Sequence, residues 1–165
     1  MALTKINNNT LSAVTTLPSA IATGDVLQVV HGITTTAVTH VSDGGRIDTG
    51  LTATITPTAS NSKILVLISQ NNKIQRGGAN SLEYDLRLFR GSSEVEKWPN
   101  VCAEEVQGSS LYGSNHCYNY LDSPSSTSQL VYKTTGQIVS SGGGRTVAFQ
   151  NSSAPSTMTL MEIGA

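Results

Sequence analysis

The run Lys63-Ile-Leu-Val-Leu-Ile-Ser69 places apolar residues on both faces of one extended segment. Successive side chains of a β-strand point to opposite faces, so this run predicts a strand that is covered on both sides. One face can pack in the subunit's own core. The other face meets either a thicker core of the same chain or a sister molecule, and the apolar C-terminal segment adds surface that favours the sister. We therefore predict an oligomer interface formed by Leu65, Leu67, Met158 and Met161.

The rest of the chain after residue 25 shows short strands separated by turn residues. Leu51, Ala53 and Ile55 alternate with threonines, and Pro57 ends that strand because proline cannot donate to a ladder. No segment carries the 3.6-residue periodicity of an amphipathic helix. We count roughly eight to ten strands at the spacing of a two-sheet fold. The prediction is an all-β, jelly-roll-like antiparallel β-sandwich over residues 26–165.

Residues 1–25 differ from this pattern and predict an extended N-terminal arm. Their apolar residues are scattered among Asn, Thr and Ser, which fits neither a clean strand nor a long helix. Such a segment has no core of its own, so it lies on this domain, a sister subunit or another protein, or it is a frayed terminus. The apolar residues that carry the prediction are Leu3, Ile6, Leu11, Val14 and Leu17.

Charge and hydropathy exclude several classes of partner. The 165-residue chain has a formal net charge of −1 and only 13% charged residues, which argues against nucleic-acid binding and anionic lipid. The sequence shows neither a signal-peptide h-region nor a bilayer-spanning apolar run, so we expect synthesis in a cytoplasm and no membrane insertion. Cys102 and Cys117 are then expected as reduced thiols, with a disulfide between them as the alternative.

Catalytic and metal-binding motifs are absent from the sequence. There is no G-x-S-x-G elbow, no C-x-x-C or H-x-x-x-H spacing, and no glycine motif that cradles phosphate. We predict no catalytic residue, no metal and no cofactor. Glycan depolymerisation is the enzymatic rival, because it needs two facing carboxylates. Glu83 and Asp85 share a strand face, but alternation with leucines predicts that this face is solvated.

Aromatic residues near the irregular segment 99–116 suggest a contact with host-surface glycan. Sugars stack on exposed aromatic rings, and recognition sites are common on loops of a rigid scaffold. We read residues 99–116 as a long loop containing one short strand. The candidate contacts are Trp98, Tyr112, Asn115 and Tyr118, although the same aromatic residues could instead belong to the core.

Several phrases resemble one group of proteins along nearly the whole chain. MALTKINNNTLSAVTTLPSAI, TGDVLQVV, SKILVLIS, LRLFRGSSEV, QLVYK and STMTLMEIGA are similar to short tail-fibre-like surface proteins of tailed, marine-type bacteriophages. The resemblance implies a homo-oligomeric, trimeric surface protein of a virion. Together with the residue patterns above, we predict that the protein is non-enzymatic, is attached through the N-terminal arm and takes part in host attachment. The chain lacks a long shaft, so a short fibre, tip, adaptor or knob is expected. A capsid decoration or head-fibre protein is the alternative.

Overall fold

A computed structural model describes residues 24–41, 45–76, 82–104, 110–139 and 144–164. This part of the chain folds into ten β-strands and one 3-10 turn, Asn151–Ser153. The strands are β1 (Val26–Thr34), β2 (Val38–Val41), β3 (Ile47–Ile55), β4 (Lys63–Arg76), β5 (Leu82–Arg90), β6 (Ser93–Glu104), β7 (Ser110–Asp122), β8 (Leu130–Ile138), β9 (Arg145–Phe149) and β10 (Ser156–Ile163).

The strands form two antiparallel sheets, and the long strand β4 organises the larger one. In sheet A, β7 pairs with β4 from Ile64 to Arg76, while β10 and then β9 share the other side of β4. Strand β1 lies beyond β10, and β2 lies beyond β9. Sheet B has the order β3-β8-β5-β6. The predicted all-β antiparallel sandwich of the jelly-roll type is confirmed.

The core between the sheets consists of two apolar clusters, one towards each end of β4. The alternating residues Leu51, Ala53 and Ile55 point inward as the sequence predicts. They join the first cluster with Ile64, Val66, Ile68, Leu88, Tyr132, Met158 and Leu160. The second cluster contains Ile74, Leu82, Tyr84, Leu86, Ile138, Val147 and Phe149. Because β4 contributes to both clusters, its inner face holds the two ends of the sandwich together.

A buried polar group centred on Gln70 joins strands of both sheets. The Gln70 side-chain oxygen accepts from the Thr134 hydroxyl at 3.0 Å, and its nitrogen donates to the Ser156 hydroxyl at 2.9 Å. All three residues are fully buried. Buried polar atoms are costly without partners, so these bonds fix how β4, β8 and β10 lie relative to one another.

The predicted long loop over residues 99–116 is wrong. Strand β6 continues through Pro99 to Glu104, and β7 begins at Ser110, with only residues 105–109 between them outside the described chain. The Gly, Ser and Asn content of this region is typical of a loop. Thirteen consecutive residue pairs with β4 override that local preference, because strand preference depends mainly on the neighbouring strand.

The expectation that Asp85 lies on a solvated face is also wrong. Its side chain is only 2% exposed and contacts the Lys97 ammonium at 2.8 Å and the Arg87 guanidinium at 3.3 Å. The backbone N–H of Asn100 donates to it as well. Burial by itself raises the pKa of Asp85, but these hydrogen bonds and charges lower it below the usual value. The β5–β6 register shifts between Tyr84 and Leu86, beside Asp85, which alternation in the sequence does not reveal.

Candidate interaction surface

The outer face of sheet A carries four apolar residues in line across four strands. In the register of the sheet, Val29 lies opposite Met161, Met161 opposite Leu65, and Leu65 opposite Leu121. We call these four residues the apolar row. Side chains that are directly opposite on one sheet face lie about 5 Å apart, so the row is continuous.

The row is open to solvent in the isolated subunit. Val29 is 56% exposed and Leu121 is 50% exposed, while Leu65 and Met161 between them are half-buried. Leu67 lies beside the row in β4 and is 37% exposed. The described residues therefore do not build a thicker single-chain core over the second face of β4.

The structure separates the four residues that the sequence predicts at an oligomer interface. Leu65, Leu67 and Met161 lie on the outer face, but Met158 is fully buried in the first core cluster. Its placement at an interface is wrong, because Met158 and Met161 are three residues apart and so lie on opposite faces of β10. Val29 and Leu121 complete the row and were missed, since only the register of β1 and β7 reveals their position.

A buried carboxylate fixes the register beneath the row. Glu162 points inward and is fully buried, where it accepts from the Gln28 side-chain amide at 2.6 Å. It also accepts from the backbone N–H and the hydroxyl of Thr58, each at 2.7 Å. Burial by itself raises the pKa of Glu162, yet these donors lower it to about 2. The contacts tie β1 and the β3–β4 turn to β10, and thereby hold Val29 beside Met161.

The four candidate glycan contacts do not come together at one place. Trp98 and Tyr118 stack with ring centroids 4.6 Å apart, and both are half-buried against the two core clusters. Tyr112 is 48% exposed further along β7. Asn115 lies on the outer face, where its side-chain oxygen accepts from the Asn71 amide at 3.0 Å. The stacked pair therefore packs between the sheets near the β6–β7 side, away from Asn115.

Ser114 and His116 form a serine–histidine contact that the sequence did not suggest. The Ser114 hydroxyl lies 2.8 Å from His116 Nε2 and 2.7 Å from the Asn72 side-chain oxygen, to which it donates. The Asn72 amide donates in turn to the Tyr84 hydroxyl. Burial lowers the pKa of His116. A hydrolytic triad needs a carboxylate that orients the histidine, whereas this chain of hydrogen bonds leads to an amide and a phenol.

The predicted arm residues Leu3, Ile6, Leu11, Val14 and Leu17 lie outside the described residues. The described chain begins at Gly24, whose N–H donates to the Gly164 carbonyl at 3.1 Å. Gly24 thus lies beside the end of β10, near the apolar row.

Cys117 is an exposed free thiol on β7, and nothing is described of the Cys102 side chain. The described residues contain no group of three or more His, Cys, Asp or Glu that could hold a metal ion. Over those same ranges, no helix has the length and apolar character needed to cross a membrane.

No family model matches the sequence, and no curated protein matches it. Among solved structures, the chain is similar to the IBDV viral particle, with 14% identity, a TM-score of 0.42, and coverage of 85% of this chain and 38% of that chain. It is also similar to the VP2 subviral particle of infectious bursal disease virus, with 14% identity, a TM-score of 0.39 and the same coverage. The chain spans about two fifths of the length of these structures. At these scores the likeness identifies no function.

Proposed function

We propose that this chain is a non-enzymatic structural protein of a virion. In this proposal it is a tail-fibre-like, receptor-binding surface module that self-associates and is attached to the particle by its N-terminal arm, residues 1–25. The observation that carries the proposal is the apolar row on the outer face of sheet A. The sequence resemblance to tail-fibre-like surface proteins is the reason for expecting the particle to be a bacteriophage virion.

The size of the apolar surface supports burial in an assembly. The row crosses three inter-strand spacings and is therefore about 14 Å long. Leu67 and Ile163 lie beside it on the same face and extend this apolar surface, and a contiguous exposed apolar patch marks an interaction site when it is large. Burial stabilises an assembly by about 25 cal/mol per Å² of apolar surface removed from water. A twofold dimer would cover this face with the same face of a sister subunit, whereas a ring such as a trimer would cover it with a different surface of the neighbouring subunit.

The place where the described chain begins supports a role of the arm in attachment. The 23 residues before Gly24 could reach at most about 75 Å when fully extended. Gly24, which follows them, lies beside the end of β10 near the apolar row, so an arm that lies on a neighbouring protein would start from the surface proposed to face that neighbour. Deletion of residues 1–23 should abolish incorporation into particles and leave the circular dichroism spectrum of the sandwich unchanged. Normal incorporation of the shortened chain would contradict the role of the arm.

The non-enzymatic assignment has two structural supports. Asp85, one of the paired carboxylates considered for glycan cleavage, is buried and bound by Lys97 and Arg87. The Ser114 hydroxyl donates to Asn72, so its proton is not directed at His116. Purified protein incubated with host-surface polysaccharide should leave the chain length of the polysaccharide unchanged. Shortening of the polysaccharide would overturn the assignment.

Immunogold labelling of virions tests the function directly. Gold at the tail supports the tail-fibre-like module. Gold on the head would overturn the tail position and support the alternative, a capsid decoration or head-fibre protein. Virions that carry no gold, while purified protein on the same grid is labelled, would overturn the virion role itself.

A further inference from the structure

Strand β7 forms a long edge of sheet A. It pairs with β4 over 13 consecutive positions without a register shift. Among the described residues, no strand pairs with its other side. An unpaired strand edge presents a row of N–H and C=O groups that can bind another strand.

The sequence of β7 lacks every feature that normally prevents such pairing. Natural proteins protect sheet edges with charged residues, prolines, bulges or very short strands. The segment SLYGSNHCYNYLD has no proline, no lysine and no arginine, and its one acidic residue is the terminal Asp122.

The other sheet edges in the described chain do carry these features. Strand β6 contains Glu94, Glu96, Lys97 and Pro99, and its pairing with β5 shifts register twice. Strand β2 has only four residues. The pairings of β1 and β3 each contain a register shift. Among the edges of the described chain, β7 is thus the longest strand without these features, which makes it the edge best suited to pair with another strand.

We propose that β7 pairs antiparallel with β7 of a second copy across a twofold axis near His116 and Cys117. An antiparallel pair of identical strands is self-complementary, so one contact is formed twice around the axis. Both strands lack charge over their middle, so no like charges are brought together. The pairing joins two copies of sheet A into one continuous sheet. With the axis at Cys117, the exposed outer-face residue Cys117 lies opposite Cys117 of the second copy, and Asn115 lies opposite Asn119 of the second copy.

This pairing is separate from the contact proposed for the apolar row. Strand pairing acts in the plane of the sheet through backbone groups, whereas the row acts perpendicular to that plane through side chains. Both contacts can therefore occur in one assembly. Two subunits joined at β7 form a dimer, and two trimers joined in this way form a hexamer, so the number of subunits is even.

Charge substitution on the outer face of β7 tests the pairing. N115K/N119K places lysines against lysines in the second copy, and N115E/N119E does the same with carboxylates. We expect each variant alone to show half the native mass of the wild type, and an equal mixture of the two to recover the wild-type mass as a mixed pair. The control T54K/T56K adds the same charge at two exposed positions, one in β3 of sheet B and one just after that strand. This control should keep the wild-type mass.

Unchanged circular dichroism spectra will show that the β7 variants are folded. Several results would overturn the proposal: an odd number of subunits in the wild type, a wild-type mass for N115K/N119K, or no recovery on mixing. Dissociation on deletion of residues 1–23, with N115K/N119K unaffected, would assign the edge to the arm instead. All of these measurements use purified protein, so they are independent of where immunogold places the protein on a virion.

Cys117 provides a second measurement on the same strand. In a C102S background, Cys117 is the only thiol and lies near the proposed axis. A short bifunctional maleimide should link two subunits at micromolar protein concentration. The C102S/C117S/T54C variant moves the thiol to β3 and should remain unlinked. Equal linking of the two variants, or none in either, would count against pairing through β7.

Discussion

Replacement of Glu162 by glutamine should remove a measurable, pH-dependent part of the stability. The carboxylate is fully buried, and three donors from Gln28 and Thr58 contact it at 2.6–2.7 Å. Burial opposes the charged form, but these donors lower the pKa of Glu162 from 4.5 to about 2. A difference of about 2.5 pKa units corresponds to about 3 kcal/mol of folding free energy.

The sign of the pH dependence follows from the direction of this shift. The folded protein holds the Glu162 proton less tightly than the unfolded chain, so acid favours unfolding. The contribution is complete above about pH 5 and is lost as the pH falls towards the folded-state pKa of about 2. About 2 of the 3 kcal/mol should disappear between pH 7 and pH 3.

Urea unfolding of the wild type and E162Q at pH 7 and pH 3 measures this effect. We expect E162Q to be about 3 kcal/mol less stable than the wild type at pH 7, with a difference of about 1 kcal/mol at pH 3. Glu94 serves as the control, because its ion pair with Arg46 is exposed and E94Q should cost at most about 1 kcal/mol. A difference between wild type and E162Q that stays the same at both pH values would refute the reasoning.

Two further substitutions test the packing of the sandwich. A methyl group at Gly136 would collide with the Phe149 ring, so G136A should lower the free energy of unfolding by about 1–3 kcal/mol. G45A should change it little, because no atom lies within 4 Å of the added carbon. Equal stability of the two variants in urea would contradict this packing. D122N removes the charge that binds the Arg90 guanidinium at 2.6 Å and accepts from the buried Tyr132 hydroxyl, so we expect the free energy of unfolding to fall by about 2–3 kcal/mol. A thermal midpoint within 1 °C of the wild type would contradict this prediction.

The sequence predicts the fold class well because the strand signal is local. Leu51, Ala53 and Ile55 alternate with threonines, and that alternation directly sets which side chains are buried. The second apolar face of β4 was likewise predictable from seven consecutive residues. Such features depend on the geometry of a single strand and need no knowledge of its neighbours.

Features that depend on register were not predictable from one sequence. In β10 the run around Met158 and Met161 is apolar on both faces, and the buried carboxylate of Glu162 lies on the inner face, so hydropathy does not show which methionine is in the core. The composition of β7 indicates a loop. Its strand conformation depends on pairing with β4, which lies more than thirty residues earlier in the chain, so the local sequence does not show it. Asp85 lies beside a register shift that alternation does not show.

The central claim is that sister subunits cover the apolar row, and the native mass in solution tests it most directly. We predict that the wild-type protein has a mass of at least twice 17.3 kDa, and that V29K/M161K, with charges at two adjacent positions of the row, has fewer subunits and an unchanged circular dichroism spectrum. A wild-type mass of one subunit at micromolar concentration, or a V29K/M161K mass equal to that of the wild-type oligomer, would contradict the claim.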